Sequence, residues 1–138
     1  MRRELILEPM GALSLLTFLV LMLMLVRRVS AVGAGDASVE DFRYGESARV
    51  PGRVGLANLN YRNLFEMPVL FYVICLMHYA ADAVGTASLA LSWAYVALRA
   101  VHTAVHVTYN DVLHRMMVFG ASTLVLVALW VSFFARMP

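Results

Sequence analysis

Asn63 and Glu66 stand three residues apart where a polar stretch becomes apolar, in NLNYRNLFEMPVLFYVICLMHY, residues 58–79. Residues at that spacing share a helix face. A carboxylate at the mouth of a membrane helix is costly unless it faces protein, water or a ligand. Arg62 and Glu66 are four apart, and pairing with each other is one way to satisfy the carboxylate. The other is a polar ligand site at the membrane surface. A second polar set follows in ALRAVHTAVHVTYNDVLHR, residues 97–115. At 100° per residue, Tyr95, Arg99, His102, His106 and Asn110 fall in one narrow stripe. An Arg near the centre of a spanning helix costs about 2.5–3.5 kcal/mol, against roughly 0.3–0.6 gained per Leu, Ile, Val or Phe. The stripe is therefore expected to face the bundle interior or a partner subunit.

The elements that carry these residues are membrane helices. The chain has 138 residues, of which 62% are hydrophobic and only 14% charged. Its mean hydropathy is +0.75. A soluble domain is nearer half apolar. One integral membrane domain, residues 1–138, is expected. All eleven formally basic residues are Arg, and the net charge of +2 is too small to point to nucleic acid. The Arg residues flank apolar runs, where membrane orientation accounts for them. The single cysteine, Cys75, lies inside an apolar run and reads as packing.

Four spans are expected, at about residues 9–26, 64–83, 87–109 and 116–134. Arg27-Arg28 closes the first as a stop-transfer flank, and the acids Glu4 and Glu8 before it argue against a cleaved signal peptide. Residues 29–60 read as a long hydrophilic loop, with a short helical turn at Ser38–Phe42 capped by Ser38 and Asp41. Pro68 falls in the first turns of the second span, where a missing amide is best tolerated. His78 and Asp82, four apart near its far end, are expected to pair. Asp111–Arg115 reads as a polar turn. Arg is concentrated in the first connection, with Arg115 in the third. The positive-inside rule then puts both connections in the cytoplasm and both termini outside it, in a multi-pass inner-membrane protein.

Depth gathers the polar groups. At about 1.5 Å per residue, Glu66 lies roughly 3 Å inside the cytoplasmic end of its span, and His106 about 4–5 Å inside the same end of the third. Asn63, Arg62, Arg115, Arg27 and Arg28 sit at or just outside that level. One layer thus collects many donors and one carboxylate, which suits a polar anionic small molecule. Shared haem ligation is disfavoured, because His78 and His102 lie about 21 and 10 Å from that end.

The order Asn63-x2-Glu66 with Pro68 nearby, then Arg99-x2-His102-x3-His106, then Arg115, resembles the MAPEG proteins of eicosanoid and glutathione metabolism, in particular a bacterial branch. The resemblance covers essentially the whole chain. It implies an all-α, left-handed four-helix membrane bundle that forms a homotrimer in the lipid bilayer. It implies glutathione near the cytoplasmic face and a hydrophobic small-molecule substrate. Asn63 and Glu66 would contact glutathione's polar ends, and Arg115 would stabilise its thiolate. Arg27 or Arg28 matches the Arg after the first span, and His106 stands where many of the enzymes have Tyr. Such proteins usually carry Arg four residues before the Asn; here that residue is Leu59, with Arg62 and Arg53 nearby. The expected function is a glutathione-dependent transferase or peroxidase acting on a lipophilic electrophile. The alternative is a non-catalytic membrane protein that binds lipid or a partner protein.

Overall fold

The computed structural model describes residues 2–136, and all the extended regular structure among them is helical. Five α-helices are formed among the described residues: α1 Leu7–Gly33, α2 Gly52–Asn63, α3 Met67–Ala80, α4 Thr86–Val107 and α5 Val112–Phe134. Helices α2 and α3 are two parts of one broken rod, so the chain is a four-helix membrane bundle. Three stretches are long and apolar enough to cross a membrane: Arg3–Gly33, Gly52–Ala80 and Val112–Phe134. Helix α4 has 22 residues, about 33 Å of length, and differs from them by its polar stripe.

That stripe is turned inward. Tyr95, Arg99, His102 and His106 are all buried, and Asn110 is half-buried. Helix α4 lies along α5 and touches α1 and α2, which is how the side chains leave the lipid. The apolar core joins Leu13 and Val20 of α1, Phe71 and Ile74 of α3, Tyr95 and Val96 of α4, and Leu126, Leu129 and Phe133 of α5. Phe71 and Tyr95 stack with ring centres 4.7 Å apart. In lipid such contacts gain from close packing rather than from transfer out of water.

Helix limits extend beyond the apolar limits. Helix α1 continues through Arg27 and Arg28 to Gly33, and α2 begins at Gly52, so the connection shrinks to residues 34–51. Val54, Ala57 and Asn60 are buried at helical spacing on α2. The rod breaks over Leu64–Glu66 because Pro68 has no amide for the Leu64 carbonyl and its ring crowds that carbonyl. The helix restarts at Met67 with proline in its first turn. The expected His78–Asp82 pair does not form. Helix α3 ends at Ala80, His78 is buried with Nδ1 3.2 Å from the Ala83 carbonyl, and Asp82 is exposed at φ 53°.

The short turn in the connection does form, as a 3-10 turn at Val39–Phe42 with a capping box. Asp41 accepts from the Ser47 hydroxyl at 2.6 Å, from the Ser38 amide at 2.8 Å and from the Ser38 hydroxyl at 2.9 Å. These bonds, the Ser47 hydroxyl first, hold its carboxyl below the ordinary value. A lowered folded pKa stabilises the loop above the unfolded carboxylate range of about 3.9 and is lost as pH falls through the lower folded value. Relative to its intrinsic, acid-slowed rate, amide exchange in residues 38–47 should therefore accelerate below about pH 4. Asp41→Asn should accelerate it at neutral pH as well. An Asp41→Asn loop that exchanges like wild type would contradict this.

Candidate functional site

The broken rod and the α4–α5 corner together build a polar cavity. Its volume is about 400 Å³, within the range of small-molecule sites. The polar wall is Arg62, Asn63, Glu66, His102, His106 and Arg115; Leu59, Met116 and Phe119 supply apolar surface. The break sets the first half of this wall. Glu66 sits at the N-cap of α3 with ψ −92°, off the helical path. The four-residue relation between Arg62 and Glu66 therefore fails, and among the described residues no ion pair joins them. Glu66 instead accepts from the Asn63 amide nitrogen at 3.4 Å.

The second half of the wall depends on the turn between α4 and α5. Asn110 adopts φ +47°, a left-handed conformation that Asn tolerates better than most residues. Its side-chain oxygen accepts from Arg115 Nη1 at 2.8 Å. Asp111 caps α5 by accepting from the His114 amide at 2.8 Å. The expected polar turn at residues 111–115 is thus the capped first turn of α5, and it places Arg115 one turn inside. Arg115 Nη1 also lies 3.4 Å from His106 Nε2. An Arg can only donate, so His106 accepts there as a neutral ring carrying its proton on Nδ1. That Nδ1 is buried and unpartnered, as is His102 Nδ1, and the two rings meet edge to face at 5.6 Å.

Arg27 and Arg28, expected beside these residues, do not line the cavity. Arg27 donates to the Arg53 carbonyl at 2.7 Å and the Val107 carbonyl at 3.0 Å, clamping α1 to α2 and to the end of α4. Arg28 pairs with Glu46 at 3.2 Å and lies over Phe42. Arg53 pairs with Asp36 at 3.4 Å, so of the two arginines near Leu59 only Arg62 reaches the cavity. Sequence reading missed Asn110 as the support of Arg115. Its signal was an Asn-Asp pair just ahead of a helix start.

The sequence pattern of the MAPEG family matches residues 6–135, nearly the full length of the chain. The chain belongs to the MAPEG family. It is therefore an integral membrane protein of the glutathione and eicosanoid metabolism superfamily. MAPEG proteins generally use glutathione and generally assemble as trimers. No curated protein and no solved structure matches the chain. In this MAPEG protein the cavity offers cationic Arg62 and Arg115, a neutral donor on Asn63, the His106 ring, and one carboxylate on Glu66. Such a set can bind a zwitterionic molecule with net negative charge and hold a sulfur anion beside Arg115.

Proposed function

We propose that this protein is a glutathione-dependent transferase or peroxidase acting on a lipophilic electrophile. One observation carries the reading: a single cavity gathers Arg62, Asn63, Glu66, His106 and Arg115 from helices α2, α4 and α5 and from the break between α2 and α3. Glutathione has two carboxylates, one ammonium and one thiol. Arg62 and the Asn63 amide suit a carboxylate, Glu66 suits the ammonium, and Arg115 suits the thiolate. Met116, Phe119 and Leu59 give the lipophilic partner an apolar approach from the same side. The working form is a homotrimer in the inner membrane. Purified protein should conjugate glutathione to a generic aryl halide. If it binds glutathione without turnover, or neither binds nor turns over, the reading as an enzyme fails. Leu59 on the cavity wall, where glutathione-binding relatives carry Arg, then favours a module for lipid or a partner protein.

The orientation has its own test. The connection at residues 34–51 is proposed to be cytoplasmic, with both termini outside. Ala48 is exposed in that connection, and the native Cys75 is buried. An Ala48→Cys variant should react with a membrane-impermeant maleimide only after the cells are opened. Labelling of intact cells would reverse the topology.

A further inference from the structure

Arg99 is fully buried and lines no part of the cavity, yet it touches a residue that does. Its Nη2 donates to both the backbone carbonyl and the side-chain oxygen of Asn63. The guanidinium lies 5.8 Å from the centre of the Phe119 ring. Two consequences follow from elementary chemistry. First, Asn63 is the last residue of α2, so a cation at its carbonyl sits at the negative end of that helix. Second, an Arg has no acceptor, so the Asn63 side chain must turn its oxygen toward Arg99. Its NH2 group is then aimed the other way, and it donates to Glu66. Without Arg99, only the 3.4 Å bond to Glu66 would hold the amide, and once Glu66 turned to a ligand's ammonium the amide would be free to offer its oxygen to the cavity.

We propose that Arg99 is a positioning residue that fixes the polarity of the site: it forces Asn63 to present a donor, not an acceptor, to an anionic ligand. This rests on the reading of the cavity as a glutathione site. Binding is read by calorimetry with glutathione, and apo stability by the melting temperature of the full-length protein in detergent. Arg99→Gln should weaken glutathione binding roughly tenfold, the size expected for a charge-assisted hydrogen bond acting through Asn63. In an Asn63→Ala background the same change should add little, because the group it orients is gone. Asn63→Asp is the second arm and does not depend on Arg99→Gln folding. It should weaken binding at least as much, since an acceptor replaces the donor and the cavity gains a second carboxylate beside Glu66, and an Asn63→Asp protein that binds like wild type overturns the proposal. A purely structural Arg99 predicts an Arg99→Gln protein that melts lower yet binds glutathione like wild type. That result, or additive losses in the Arg99 and Asn63 pair, overturns the proposal. Wild-type protein that binds no glutathione instead removes the reading of the cavity, and the inference with it.

Discussion

Replacing Arg115 with alanine is expected to leave most glutathione binding intact and to remove the ultraviolet band of the bound thiolate. A free thiol near pKa 8.5 must fall below about 7 to be mostly ionised at neutral pH, which takes roughly 2–3 kcal/mol. A single Arg about 4 Å from the sulfur supplies up to about 4 kcal/mol at an effective dielectric of 20, before desolvation. Arg115 is thus large enough in effect to act alone, and no general base is required. Without it only a few per cent of the thiol is ionised at pH 7, so conjugation should fall by about twentyfold or more. Arg115 also donates to Asn110 and His106, so the melting temperature is the control. An Arg115→Ala protein that keeps its thiolate band would place the stabilising charge elsewhere.

Glu66→Gln should act on binding itself. The side chain is exposed, lines the cavity and has no cationic partner among the described residues. A carboxylate there repels a thiolate and so cannot be its stabiliser; its complement is an ammonium. A hydrogen bond to a charged group contributes about 1.5–3 kcal/mol, so the isosteric amide should weaken glutathione about 10- to 100-fold. The thiolate band at saturation should persist, because Arg115 is unchanged. The two variants thus separate affinity from ionisation. Loss of both properties in both variants would mean that the residues do not divide the work as described.

The polar layer was legible in the sequence because depth along a spanning helix follows directly from residue number. Glu66, Asn63, Arg62, His106 and Arg115 do meet at one cavity. The inward stripe was legible because Arg99 in lipid is too costly. Other features depend on information that apolar patterning lacks. Helices α1 and α2 continue where hydrophobicity stops, since backbone hydrogen bonds persist in water and Val54 and Ala57 still have a protein surface to cover. The break at Leu64–Glu66 follows from Pro68, but its effect on the direction of Glu66 depends on the backbone path. Arg27 and Arg28 carry the right charge at the right depth, yet carbonyl groups and Glu46 use them first. Charge and level in a sequence do not reveal which unpaired carbonyl lies within reach.

Glutathione is proposed to bind in the cavity formed by α2, α4, α5 and the break before α3. The most direct measurement is the melting temperature of the detergent-solubilised protein across a glutathione titration. A ligand that binds only the folded state stabilises it by about 2.7 kcal/mol at a hundred times its dissociation constant. The account predicts a saturable rise in melting temperature that shrinks sharply in Glu66→Gln. A melting temperature that stays flat to millimolar glutathione would contradict it.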